Sequence, residues 1–206
     1  YGFCRIFTDD PRLDLLTDRL GQRWMLDEIT VKPYAACSDI HPMIQAAMQL
    51  RLEHNLQPQD IESIELDGPN KAAVQNDMDG TISVMSAQYS AQFNIAAALI
   101  ADPANPETYQ PGQISKPEIS ALQEKVVSLR PAAEFDATYA WKMGGRVRIR
   151  LVDGTMVSAT VHGQKGSMHD PLEASELASK FSRLTEGRCN PNLESLIWAV
   201  DAAEEL

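Results

Sequence analysis

Cysteine is scarce in this 206-residue chain and shows no pattern: Cys4, Cys37 and Cys189 lie far apart, in no CxxC or CxH spacing. That argues against a disulfide framework or a zinc site and predicts free thiols in a reducing compartment. Positive charge is also short, with 18 Lys and Arg against 29 Asp and Glu, a net charge of −11. Nucleic acid or an anionic membrane would need a clustered basic face, so neither is expected as a partner. An anionic substrate would have to find its positive charge in a few local residues. No apolar run approaches the ~18 residues of a membrane helix, and no signal-peptide pattern is seen. The expected location is cytoplasmic. Nothing matches a phosphate loop, a Gly-x-Ser-x-Gly elbow or a His-Glu-x-x-His helix, so no metal and no cofactor is expected.

What is present fits an ordinary globular domain, long enough to bury a core. DDPRLDLLTDRLGQRW (9–24) places Leu13, Leu16 and Leu20 at helical spacing, with Pro11 early and Gly21 at the end, and predicts a helix. MLDEITVKPY is expected to be extended up to Pro33. PMIQAAMQLRLEHN predicts a helix from Pro42 with Ile44, Ala47, Met48 and Leu52 inward. IESIELDGP (61–69) predicts a strand closed by Gly-Pro. KAAVQNDMDGTISVM is left open. SAQYSAQFNIAAALIA (86–101) predicts one buried helix, followed by an exposed, turn-rich loop to Pro117. PEISALQEKVVSLR (117–130) predicts an amphipathic helix with Ile119, Leu122, Val126 and Leu129 as its stripe.

GGRVRIRLVDGTMVSATVHG carries strict alternation, Val147, Ile149 and Leu151 against Arg146, Arg148 and Arg150. A two-residue turn would set Ile149 opposite Ser158 and mix the faces. A three-residue loop with left-handed Gly154 sets Ile149 opposite Val157 and Val147 opposite Ala159, and is preferred. The arginine row is read as the solvated face. After QKGSMHDP, read as a solvated loop carrying His162, Lys165 and His169 around it, LEASELASKFSRL is anchored by Leu172, Leu177 and Phe181. NLESLIWAVDAAEEL is a closing helix. The fold class expected is α+β with helical flanks.

KPYAACSDIHP (32–42) crowds Lys32, Tyr34, Cys37 and His41 before a helix. Pro42 in the first turn makes His41 the expected cap, with Ser38 and Asp39 as alternatives. Unpaired N–H groups there favour an anion and a neutral imidazole, available as a base. Lys32 could hold a substrate carboxylate or exchange a proton. The ordinary alternative is that His41 and Tyr34 pack and Cys37 is a small buried residue. Gln92 and Asn94, polar on an apolar helix, are either satisfied amides or substrate contacts.

Six pieces in order, GFCRIF, LGQRW, VKPYAACSDIHPMIQAA, SAQFNIAAAL, RVRIRLVDG and HGQKGSMHDPLEASELASKF, make the chain resemble the C-terminal part of the MmgE/PrpD family. That family includes 2-methylcitrate dehydratase, cis-aconitate decarboxylase and iminodisuccinate epimerase. The resemblance implies a large helical domain with an inserted α+β lid: 1–31 the tail of the helical domain, 32–166 the lid, and 167–206 helices returning to the helical domain. It implies a cofactor-free lyase, a hydro-lyase of the dehydratase type, acting on a small di- or tricarboxylate in the cleft between domains. Decarboxylation or epimerisation of a similar acid is the alternative. Lys32 and His41 match family motif positions implicated in substrate binding or proton transfer. Tyr34, Cys37 and Gln92 are the further substrate-binding candidates, although some relatives carry histidine at Cys37 and a common serine at Asn94. The resemblance suggests a homodimer. The opening on Tyr-Gly-Phe suggests a fragment, inactive alone, that needs its N-terminal helical half or a partner chain.

Overall fold

The computed structural model describes residues 2–78, 80, 83–187, 190, 195 and 197–199. Before Val31 it holds one short helix, α1 (Phe3–Phe7), and two 3-10 turns, Leu13–Leu16 and Met25–Glu28. The helix expected over 9–24 and the extended segment after it are both corrected. Leu13, Leu16 and Leu20 stand 58%, 67% and 78% exposed. An isolated amphipathic helix of about 15 residues is marginal in water unless its apolar face is covered, and no described element covers this one.

The helix expected from Pro42 forms as α2 (His41–His54) and closes on left-handed Asn55. Met43, Ile44, Ala46, Ala47 and Leu50 are buried. Leu52, expected inward, is 77% exposed: nine positions from Met43, at 3.6 residues per turn, put it about 180° round the helix.

Strand β1 (Ile61–Gly68) lies where expected. The segment left open contributes α3 (Asn70–Asn76) and the start of α4 (Val84–Tyr89). The single buried helix expected over 86–101 is broken at Ser90, and α5 (Ala91–Ile100) follows. Ser90 Oγ caps α5 by accepting from Phe93 N at 3.1 Å, the usual role of an N-cap hydroxyl. The Asn94 side-chain NH2 donates to the Ala87 carbonyl freed by the break and to the Ser90 carbonyl, which also accepts from Asn94 N, both at 2.8 Å. The loop expected to be exposed instead buries Thr108, Tyr109 and Ile114, in a 3-10 turn (Pro106–Tyr109) and a one-turn helix, α6 (Pro111–Ile114).

The stripe over 117–130 is divided between α7 (Pro117–Gln123) and β2 (Val126–Pro131). Ile64 pairs with Val126 but Glu65 with Ser128, so Val127 is an extra residue on β2. The bulge turns Val127 outward, 60% exposed, and lets Val126 and Leu129 both face inward. Their three-residue spacing therefore imitated a helix.

After α8 (Ala133–Asp136), strands β3 (Gly144–Leu151) and β4 (Met156–His162) form the expected hairpin. Ile149 pairs with Val157 and Val147 with Ala159. Leu151 N donates to Thr155 O at 2.8 Å around a three-residue loop, and Gly154 is left-handed at φ 87°. The sheet order is β2-β1-β3-β4, with β1 parallel to β2 and the other pairs antiparallel.

Helix α2 packs on β3 and β4, and α5 packs on α2, α7 and β2, burying Ile64, Leu66, Val147 and Ile149. The architecture is α+β. Opposite the helices, Arg146 and Arg148 are half-buried and paired with Asp67, Glu65 and Glu134. Burial opposes ionisation of Asp67, but Arg148, Arg146 and Arg130 outweigh it and hold the carboxyl below its usual range. Arg146 and Arg148 thus belong to a charge lattice rather than a merely solvated face, while Arg150 at the end of the row is exposed, as expected.

Helix α9 (Ala174–Thr185) ends the long described stretch. None of its residues is buried; Leu177 is exposed, while Leu172 and Phe181 are half-buried. The expected anchors therefore do not anchor it in a core. The closing helix expected over 192–206 and Cys189 lie outside the described residues, apart from Ser195 and 197–199. Among the described residues, no helix is long and apolar enough to cross a membrane.

Candidate active site

The KPYAACSDIHP segment is pinned from behind before it reaches α2. Val31 N donates to Gly166 O at 2.8 Å. Gly166 is left-handed, φ 84°, and a Cβ there would lie 2.0 Å from the Val31 carbonyl oxygen. Only glycine allows that approach. The Lys180 ammonium on α9 donates to the Lys32 backbone oxygen at 2.8 Å. The 164–171 loop, expected to be solvated, is tied down: Gln164 and Ser167 are buried, and Lys165 N donates to Gln45 Oε1 at 3.1 Å. Lys165 Nζ meets Asp170 at 3.3 Å and Glu176 at 3.0 Å, and His169 Nε2 lies 3.2 Å from Trp141 O.

Lys32 and His41 converge on one oxygen. Lys32 Nζ donates to Ala36 O at 3.1 Å, and His41 Nε2 lies 3.2 Å from the same atom. A carbonyl accepts only, so Nε2 carries the proton and Nδ1 presents a lone pair. That Nδ1 is buried and has no hydrogen-bond partner.

A 3-10 turn, Ser38–Ile40, runs directly into α2, so Ile40 occupies the cap and His41 is already helical. The expectation of His41 as cap is corrected. Its neutrality has a different main cause from the helix field. Burial, with 1% of its surface exposed, pushes the imidazole down to about 4; the bond to Ala36 opposes this, and Lys32 and Lys180 add to it.

Tyr34 sets its ring edge against His41, with centroids 5.1 Å apart at 62°. Burial first, then Asp102, Glu176 and Asp170, push its hydroxyl up to about 12, so the phenol keeps its proton. Residues of this segment line two hollows. One, about 360 Å³, is lined by Lys32, Ala36, Cys37, Ser38, Gln88 and Tyr89. The other, about 370 Å³, lies by Tyr34, Lys165, Lys180, Arg183, Asp102 and Glu176.

Four of the five candidates from the sequence are therefore neighbours. Lys32 and Cys37 line the first hollow and Tyr34 lines the second, while His41, buried and lining neither, touches Tyr34 and the carbonyl held by Lys32. Gln92 stands apart. Its amide donates to Asp77 Oδ1 at 2.5 Å and accepts from Met78 N and Ser90 Oγ, so it fastens the chain after α3. Asn94, with the same two alternatives open, is a satisfied internal amide.

The sequence offers Asp39 only as a possible cap. The structure buries it to 6% exposure, with the Tyr139 hydroxyl donating to Oδ1 at 3.4 Å. An acidic residue two before the histidine was the available signal. Tyr139 carried none, because it lies a hundred residues away.

The profile of the MmgE/PrpD C-terminal domain matches residues 34–206. The chain is 23% identical over 225 residues to a cis-aconitate decarboxylase of Aspergillus terreus, and 24% identical over 225 residues to the cis-aconitate decarboxylase of Aspergillus terreus strain NIH 2624 / FGSC A1156. Each alignment takes in 100% of this chain and 46% of the relative, so the chain spans about half the length of the curated relatives it matches. Because that domain profile covers most of the sequence, the chain belongs to the MmgE/PrpD family.

Proposed function

We propose that this chain supplies one wall of the substrate cleft of a cofactor-independent lyase acting on a small di- or tricarboxylate. The supporting observation is the convergence of Lys32 and His41 on the Ala36 carbonyl beside an open hollow. Lys32 anchors a substrate carboxylate and offsets the charge that develops when the neighbouring carbon loses its proton. In dehydration a base takes that proton, its electron pair forms the new double bond, and the hydroxyl departs with a proton as water. His41 is the acid/base candidate on this wall, neutral and with a free lone pair. Contact with substrate requires the Tyr34 ring or the Ala36 turn to shift from in front of it. Tyr34 and Cys37 shape the hollows, and Gln92 supports them from a distance.

The same carbanion-stabilising wall serves decarboxylation, the activity named for the Aspergillus terreus relatives, and epimerisation. In this proposal residues 32–166 form a lid over a helical domain, residues 1–31 and 167–206 belong to that domain, and the enzyme is a cytoplasmic homodimer. Lys32→Ala in the complete enzyme, assayed by proton NMR against a panel of di- and tricarboxylates, tests the site and separates the three reactions. Unchanged kinetics would remove Lys32 from the site.

A second reading is favoured by the exposed apolar rows of Leu13, Leu16, Leu20 and Trp24 and of Leu177 and Leu184. In it the chain is a non-catalytic lid-like subunit that works through a helical partner. A partner chain that co-purifies and restores activity on mixing would support it. Turnover by the isolated 206-residue chain would exclude it.

A further inference from the structure

Besides residues of the 32–38 segment, the hollow beside Lys32 is lined by Gln88 and Tyr89, the last two residues of α4. Both are fastened through their backbones. Cys37 N donates to Gln88 O, and Asn76 Nδ2 donates to Tyr89 O, each at 2.8 Å. These bonds fix the end of α4 against the segment that carries Lys32 and do not use the two side chains. Among the described residues, no hydrogen bond engages the Gln88 amide or the Tyr89 hydroxyl. Charge is unevenly spread around the hollow. Among the described residues, Lys32 is the one ammonium or guanidinium in its lining, which otherwise offers a thiol, a hydroxyl, an amide and a phenol from Cys37, Ser38, Gln88 and Tyr89.

Resting on the reading of Lys32 as a carboxylate anchor, we infer that Gln88 and Tyr89 are specificity-determining residues: they hold a hydroxyl group of the substrate whose carboxylate sits on Lys32. One ammonium compensates one carboxylate. A second carboxylate set against the amide and the phenol would lose water without gaining a counter-charge. An alcohol suits them better, since it donates one hydrogen bond and accepts others, while an amide both accepts and donates and a phenol can donate. When an acid without the hydroxyl closes over the pair, both polar groups are left facing C–H. That penalty lets a site built for a hydroxyl reject the analogue that lacks it. The end of α4 thereby selects the acid that can lose water over its deoxy counterpart.

Citrate and tricarballylate differ by that hydroxyl alone, and at mildly alkaline pH both are fully ionised. Binding of each to the complete enzyme is measured by calorimetry. Wild type should bind citrate at least about tenfold tighter than tricarballylate. In Gln88→Leu/Tyr89→Phe the ratio should fall to about twofold or less, through weaker binding of citrate and little change for tricarballylate. Each single variant should fall between. The carbonyls that fasten α4 remain in all three, and the Tyr89 ring, 37% exposed, keeps its place in Tyr89→Phe. Lys32→Ala should weaken both acids alike.

If both acids need Lys32 but wild type binds them equally, or the double variant keeps the wild-type ratio, only the role of Gln88 and Tyr89 is overturned. If the acids bind wild type and Lys32→Ala equally, or bind neither, the anchor falls and the inference with it. Should the double variant fail to fold, an unchanged ratio in both single variants overturns the inference by itself.

Discussion

The Tyr109 hydroxyl donates to Asn94 Oδ1 at 2.8 Å, completing the hydrogen bonding of an amide whose NH2 already holds two carbonyls at the α4–α5 break. All three sites are buried. Asn94→Ala strands the Tyr109 phenol and the Ala87 carbonyl, since Ser90 O keeps its bond from the backbone N of residue 94, and should cost about 2–4 kcal/mol in urea unfolding, while Tyr109→Phe should cost about 1–2 kcal/mol. A loss below about 0.5 kcal/mol in both would show that the break is held by something else.

His41 should make stability depend on pH. The folded chain holds the imidazole neutral down to about pH 4, from an ordinary value of 6.5. The unfolded state therefore binds more protons between those values, and stability is complete above 6.5 and lost as pH falls toward 4, by about 3 kcal/mol. Asp39 has the opposite sign, since its raised carboxyl adds stability that is lost as pH rises through its folded value. Comparing Asp39→Asn with Asp39→Asn/His41→Gln by urea unfolding across pH isolates the histidine, and the double variant should be flatter across this window.

Gly166→Ala should release the site wall. Its Cβ meets the Val31 oxygen, in a bond pair that cannot slide because Val31 N is held by Gly166 O. A loss of at least about 3 kcal/mol is expected, with faster amide exchange at Val31 than in β3. Exchange unchanged at Val31 would contradict the pinning.

Lys32→Ala should lower kcat/KM of the complete enzyme by at least about a hundredfold, with Lys32→Arg recovering only part of it, since a guanidinium does not reproduce a compact ammonium. Equal rates for wild type and Lys32→Ala would leave His41 without its proposed neighbour.

The β3–β4 hairpin was legible down to its register because two local rules agreed, the period-two alternation and the left-handed glycine. α2 and β1 were legible for the same reason. Where two elements share one stripe, as at 117–130, periodicity failed, since a single bulged residue at Val127 shifts a strand's phase to that of a helix. The break at Ser90 was hidden because no glycine or proline marks it in the sequence.

For the site, the sequence determined which chemical groups crowd residues 32–41, and it fixed the start of α2 to within a residue. Only the tertiary structure decided that Lys32 and His41 share an acceptor, that Asp39 is buried against Tyr139, and that Gln92 faces elsewhere. Local pattern reports spacing along the chain. Desolvation and charge neighbours arise from segments far apart in sequence, here Tyr139, Gly166 and Lys180, which only folding brings to this wall.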